Sequence, residues 1–349
     1  MNHLRYVLDE VGYSPRTITM ADGSRLLVLP HGGRVLGLYT AACDKNFYWT
    51  SPAVKTVALA RDFLRTDAWH NSGGDRTWLA PETDIFFPGF PDLDRYEPPR
   101  ALDPGTYSVV ETASGFRLAC RLSLRLARQR KDVSLSIDKW FRAALNPLRH
   151  ERGIDLTDVT YAGYTQKVRL AVTSDTPPSR ARIGLWNILQ LPHGGEALFP
   201  TFSRAEPTVI FSHSGMIAPE DLTVSKRLVC FRMRQTGEHK ISMRASVMTG
   251  RAAYYHRRGN QADLVIRNFC VNPSGEYVDT PWNDPNWLGF AVQACNVNGP
   301  AGVFSELEYH VPTVGGATTP KICTDRSQVW AFRGPEAQVS RIRSLLVAG

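Results

Sequence analysis

The sequence predicts a mostly β chain of antiparallel strands, with few and short helices. Three observations carry that expectation. Phe116, Leu118, Cys120, Leu122, Leu124 and Leu126 alternate with Arg117, Ala119, Arg121, Ser123 and Arg125. That period of two turns one face of a strand to the core and the other to water. Similar apolar runs recur from Leu228 to Val311 with polar turns between them, the pattern of a sandwich or barrel. Only Pro335 to Val347 reads clearly as a helix, with Val339, Ile342, Leu345 and Leu346 on one face.

The 349 residues exceed one average domain, but all-β sandwiches reach this length as single units. No low-complexity linker or short repeat divides the chain, so residues 1–349 are expected to form one domain. Hydrophobic residues at 43% supply a substantial core, and 21% charged with 10% aromatic argues against disorder. The net charge of +8 favours anionic partners at long range: uronic acids, sulfated sugars or nucleic acid. The densest basic runs are Arg125 to Lys131, read as a solvated turn, and Arg251 to Arg258. No nucleic-acid module accompanies them, so nucleic acid is not an expected partner.

The six cysteines form no CxxC pair, which excludes a zinc knuckle. Several sit in apolar runs and read as small hydrophobes. The N-terminus, MNHLRYVLDEVGYSPR, has no apolar signal core. No run of about 18 apolar residues exists. The expectation is a cytoplasmic protein with no membrane partner.

Taken in order, Thr17 to Met20 and Arg25 to Leu29 flank Ala21-Asp22-Gly23-Ser24, a hairpin signal. His31-Gly32-Gly33 leads into a strand over Arg34 to Thr40. Asn46-Phe47-Tyr48-Trp49 carries three aromatics that need not all be buried. Val54, Val57, Leu59 and Phe63 fit a short helix. The proline-rich Phe86 to Pro104 reads as a long loop over a sheet, a length usually kept for function. Asp132 to Trp140, Val168 to Thr173 and Arg182 to Leu191 are strands; His150 to Gly153 is a turn and Asp175-Thr176-Pro177-Pro178 a breaker. Leu228 to Met233, Lys240 to Val247, Asp263 to Val271, Phe290 to Asn296 and Val303 to Val311 complete the series.

The densest chemistry lies in Trp69 to Glu82. Gly73 and Gly74 permit φ > 0 and close approach of a backbone or ligand. Trp69 and Trp78 offer stacking faces for a sugar ring, and Arg76 a fork of donors for hydroxyls or a carboxylate. Otherwise Arg76 pairs with Asp75 or Glu82 and holds the loop. Pro81 ends any regular element just before Glu82. On the Val303 to Val311 strand, period two places Glu306, Glu308 and His310 on one face and Ser305, Leu307, Tyr309 and Val311 on the other. That polar face is either solvated or the wall of a groove. In a groove, carboxylates about 7 Å apart raise one another's pKa, which suits a base that deprotonates a sugar hydroxyl.

GGDRTWLAPE resembles the GG(D/H)R-x-W-x-APE signature of an uncharacterised bacterial family related to the aldose 1-epimerases, the galactose mutarotase-like proteins. Gly33 to Gly37, Asn46 to Thr50, Gly184 to Asn187, Pro192 to Gly195, Gly275 to Asp279 and Glu306 to His310 match in order, covering about residues 33 to 312. The resemblance implies a β-supersandwich that presents a concave face to a mono- or oligosaccharide. The basic composition favours an acidic one. In aldose epimerases a late-chain Glu acts as base; Glu308 is the closest positional match, with Glu306 next. Their strand Asn-His motif is absent, since Gly184-Leu185-Trp186-Asn187 carries no His. His70 and His193 are the candidate substitutes, each also readable as a turn or core histidine.

The expected catalytic set is therefore Glu308, Glu306, His310 and His70. The expected substrate-binding set is Arg76, Asp75, Trp78, Glu82, Trp186, Asn187 and His193. Trp282 to Trp287 is a second wall or a tight turn. No metal site is specified and no cofactor is expected. The favoured reading is an aldose epimerase-like enzyme using carboxylate and His acid–base chemistry. The alternatives are a glycoside hydrolase or polysaccharide lyase on the same fold, or a non-catalytic carbohydrate-binding module.

Overall fold

The computed structural model describes residues 1–66, 69–113, 115–173, 181–315 and 321–347. The breaker at Asp175 to Pro178 lies outside the described residues. Among these, the strands form two antiparallel sheets. The first sheet runs, in spatial order, β1 (Arg16–Thr19), β2 (Arg25–Leu29), β3 (Arg34–Tyr39), β4 (Asp75–Ala80), β9 (Gly184–Pro192), β18 (Gly302–His310), β17 (Phe290–Gly299), β14 (Gly237–Arg244) and β11 (Thr208–Ser212). The second runs β12 (Leu222–Val224), β13 (Leu228–Arg232), β10 (Glu196–Pro200), β15 (Arg251–Arg258), β16 (Gln261–Asn268), β19 (Ile322–Pro335), β8 (Thr160–Val172), β7 (Lys131–Ala143), β6 (Gly115–Leu126) and β5 (Tyr107–Thr112). The helices are short: α1 (Asn2–Glu10), α2 (Val57–Arg65), α3 (Glu82–Ile85) and α4 (Glu336–Val347). No helix among the described residues is long and apolar enough to cross a membrane.

The predicted mostly β sandwich is thus the observed one. The Asp22-Gly23 hairpin joins β1 to β2, with Gly23 at φ 77°. The alternating run is β6, whose Leu118, Cys120, Leu122, Leu124 and Leu126 are buried. They share one apolar cluster with Leu79, Leu185, Leu189 and Leu307 of the first sheet, so the core lies between the sheets. α4 lies on the other side of the second sheet. Its Val339, Ile342 and Val347 are buried with Leu264, Ile266 and Phe332. Leu345, expected on that face, is 50% exposed, because Val347 takes its place at the end of the stripe.

Two elements escape the pattern rules. All six residues of β4 are buried on both faces, so no alternation marks it. α1 buries only Val7 and Leu8, too little to show a stripe. The basic run Arg251 to Arg258 is strand β15, with Ala252 to Tyr255 buried. All six cysteines are free thiols.

β4 is seated by close backbone approach. A Cβ on Gly73 would lie 2.4 Å from the Trp49 carbonyl oxygen, and one on Gly74 2.3 Å from that of Val35. Both glycines also have positive φ, so another side chain would bring both strain and clash. Below them, Asp75 Oδ1 lies 2.7 Å from Arg267 Nη1 of the second sheet, and the Tyr164 hydroxyl donates to Oδ2 at 2.5 Å. Arg267 Nη2 donates to Ser327 Oγ at 3.0 Å. Asp75→Asn keeps the shape but leaves Arg267 buried without its counter-charge, a change that costs about 3–5 kcal/mol. Chemical denaturation should show a loss of that size; a variant within about 0.5 kcal/mol of the native protein would remove the pair from the account of stability.

Candidate functional site

Because successive strand residues face opposite ways, Asp75 and Thr77 point into the inter-sheet layer and Arg76 and Trp78 point out of it. The same holds on the paired strands. Trp186 and Gln190 of β9, Glu306 and Glu308 of β18, Cys295 and Val297 of β17, and Glu238 and Lys240 of β14 share the outer face. The proline-rich loop runs over this face, with Phe86 packed 4.6 Å from the Trp78 ring. A cleft of about 300 Å³ opens between loop and sheet. Its walls are aromatic: Trp69, Trp78, Tyr96, Trp186, Trp282, Phe211 and Phe304.

Arg76 lies over Trp78, its Cζ 4.0 Å from the ring centroid. Its Nη2 donates to Glu306 Oε1 at 3.2 Å and its Nη1 to Asn71 Oδ1 at 3.3 Å. Gln190 Nε2 donates to the same Glu306 oxygen at 2.9 Å. Glu306 Oε2 carries neither bond. Arg76 therefore pairs with neither Asp75 nor Glu82, the partners foreseen for a structural role; it positions Glu306 at the cleft wall. Both indoles are held by one carboxylate, since Trp69 Nε1 and Trp78 Nε1 donate to Asp103 Oδ2 at 3.0 and 2.8 Å. Burial pushes Asp103 up, but Arg34 and Arg76 outweigh it and keep its carboxyl below the usual value.

Lys240 gathers a second group. Its Nζ lies 3.2 Å from Glu308 Oε2 and 3.7 Å from Glu82 Oε2, and 4.5 Å from the Trp186 ring centroid. Glu82 accepts from Trp282 Nε1 at 2.8 Å and from the Tyr96 hydroxyl at 3.2 Å. Tyr96 is 41% exposed, yet its hydroxyl is turned inward onto Glu82. Asp279 accepts from the Glu82 backbone N–H at 2.8 Å and from Gln293 at 2.8 Å. Burial works against the Lys240 charge, but Glu308, Glu82 and Asp279 hold its pKa above the ordinary lysine value. Burial raises all three carboxyls, with Lys240 opposing, and brings Glu308 to about 7.

The predicted residues divide by this geometry. Arg76, Trp78, Glu82, Trp186 and Glu306 line the cleft. Glu308 and His310 share their face but sit behind the Trp186 indole, which donates to Glu308 Oε2 at 2.8 Å and stacks on His310 at 5.5 Å. Burial and the Lys240 charge push His310 well below the ordinary histidine pKa. Of the two glutamates, Glu306 lies at the cleft and Glu308 beneath it.

Asp75 and Asn187 are corrected: both face the other sheet, Asp75 on Arg267 and Asn187 accepting from Thr77 Oγ1 at 2.8 Å. Neither can share a face with its strand neighbours Arg76 and Trp186. His70 and His193 do not line the cleft either. His70 lies 3.0 Å from Thr66 Oγ1 and packs on Phe63, and His193 meets Asn296 Oδ1 at 2.9 Å. Sequence reasoning missed Lys240, Glu238, Asp279, Asp103, Tyr96 and Gln190. For Lys240 a signal existed: a charge beside Ile241 and Met243 in an apolar strand. The Trp282 loop, foreseen as wall or turn, supplies a wall.

No family profile matches the chain, and no curated protein matches it. Among solved structures it is similar to a provisionally assigned aldose 1-epimerase of Escherichia coli K12, at 10% identity and TM-score 0.46 over 91% of this chain and 98% of that one. A provisionally assigned aldose 1-epimerase of Klebsiella pneumoniae shows 12% identity and TM-score 0.44 over 95% and 83%. An alpha-galactosidase of Lactobacillus brevis shows 10% and 0.32 over 95% of this chain and 41% of that one. Such identities leave the chemistry of the cleft to its own residues.

The raised Glu308 carboxyl makes stability depend on pH. Its value is about 7 when folded, against 4.5 ordinarily, so the folded state holds the extra proton between those values. Stability is highest at the acid end of that window and falls as pH rises through it. Glu308→Gln removes this contribution. Melting temperatures from about pH 5 to about pH 8 should fall less steeply in the variant; equal slopes would show that Glu308 is not the responsible group.

Proposed function

We propose that the cleft binds a saccharide and that Glu306 serves as proton acceptor in an aldose epimerase-like isomerisation. The observation that carries this reading is Glu306 itself: one oxygen fixed by Arg76 and Gln190, at the wall of a cleft otherwise faced with indole and phenyl rings. A sugar ring has an apolar face for such rings and a rim of hydroxyls for a few placed polar groups.

In this reading Glu306 removes the proton of the anomeric hydroxyl. The C1 to O1 bond gains double-bond character as the C1 to ring-oxygen bond breaks. The ring oxygen then takes a proton, and with no histidine among the described residues that line the cleft, we assign its supply to a carboxyl. Glu82 lines the same cleft, and burial holds it toward its protonated form. Closure on the other face of C1 reverses both transfers, so no net proton is consumed.

Two carboxyl groups on one cleft also suit cleavage of a glycosidic bond, with Glu82 as acid and Glu306 as base or nucleophile. Polarimetry on anomerically pure glucose and galactose separates the two: accelerated mutarotation supports the isomerase, and reducing ends released from oligosaccharides support the hydrolase. Glu306→Gln should slow the reaction by at least about 100-fold, the lower range for a lost general base, while sugar binding persists. Sugar binding without turnover in the native protein would instead leave a binding module.

Arg76→Lys keeps a positive charge but cannot hold Asn71 and Glu306 together or cover the Trp78 face. The expected result is a loss of at least about tenfold in turnover, equivalent to about 1.4 kcal/mol. The melting temperature should also drop, since Arg76 is 4% exposed. Full activity in this variant would mean that Glu306 needs no such positioning.

A further inference from the structure

The cleft does not share the positive charge balance of the chain. The molecule carries +8 overall, yet the cleft is lined by Glu82, Glu238 and Glu306 against Arg76 and Lys240. Both cations are already engaged, Arg76 on Glu306 and Lys240 on Glu308 and Glu82. Each therefore already has a carboxylate as counter-charge. Glu238 is different. It lies on β14 two residues before Lys240, faces the cleft, and among the described residues has no hydrogen-bond or ion-pair partner. Burial raises its carboxyl pKa, the nearby Glu306 adds to that, and His213 opposes both. A positive ligand group beside it would relieve the repulsion between the two carboxylates, in a cleft that Trp282 and Phe211 also line.

Resting on the saccharide reading above, we infer that the cleft selects a sugar bearing a protonated amine, whose ammonium group meets Glu238, and disfavours uronic acids and sulfated sugars. The anionic ligand suggested by the overall charge is disfavoured locally, because a uronate would enter among carboxyl groups where, among the described residues, both cleft cations already face carboxylates.

Tryptophan fluorescence of the intact protein, titrated at low ionic strength near pH 6, tests this. The probes are glucosamine, N-acetylglucosamine, glucose and glucuronate, with the galacto series alongside. The amine is expected to bind at least about tenfold more tightly than its N-acetyl and neutral counterparts, and the uronate most weakly. Added salt should narrow the spread. Glu238→Gln should remove the amine's advantage over glucose. The ligand series on the native protein gives the same answer if that variant does not fold. Equal affinity for amine and neutral sugar, or tighter binding of the uronate, overturns the inference and leaves the saccharide reading standing. Absence of binding by every sugar in both series overturns the saccharide reading itself.

Discussion

The cleft depends on how one buried strand is held. Asp75 of β4 meets Arg267 across the inter-sheet layer at 2.7 Å, and Tyr164 adds a hydrogen bond from the second sheet. Since side chains alternate, drawing Asp75 inward sends Arg76 and Trp78 outward to the cleft. A slip of one residue would place Arg76 in the core beside Arg267 and turn Asp75 out. A buried ion pair is a weak net stabiliser compared with apolar packing. Here its consequence is register. The two glycines before it let β4 come close enough to its neighbours for the pair to form.

The outer face of the first sheet is divided by Trp186. On one side Glu306 faces the cleft, held by Arg76 and Gln190. On the other, Lys240 stands among Glu308, Glu82 and Asp279, with His310 stacked on the same indole. Burial raises the proton affinities of all three carboxyls against the opposing Lys240 charge, and those carboxylates in turn raise that of the lysine against its own burial. Glu82 and Lys240 belong to both groups: they contact each other and line the cleft. The two charge clusters are thus joined by a carboxylate poised to hold a proton.

Much of the fold was legible because exposure alternates along long strands. β6, with its leucines inside and arginines outside, could be read from the chain with no partner in view. β4 could not, because a strand covered on both faces has no polar side to alternate with. The face shared by Glu306, Glu308 and His310 was also legible, since a period of two needs no tertiary information. Which of the two glutamates reaches the cleft was not, because that depends on where Trp186 of a neighbouring strand comes to rest. Asp75 and Asn187 were grouped with their neighbours by proximity in the chain, and in a strand that proximity means opposite faces.

The sequence by itself determined the sandwich class, the seam glycines, the Pro81 boundary and the set of aromatic and acidic side chains from which the cleft is built. These follow from local geometry and from hydrophobic alternation, which act over a few residues. The tertiary structure decided which carboxylates share a cation, which indoles share Asp103, and that a chain with net positive charge encloses a cleft lined by more carboxylates than cations. Those facts depend on residues far apart in sequence, such as Glu82 with Lys240 and Arg76 with Glu306, and on desolvation that exists only once the two sheets and the loop over them have closed around the charges.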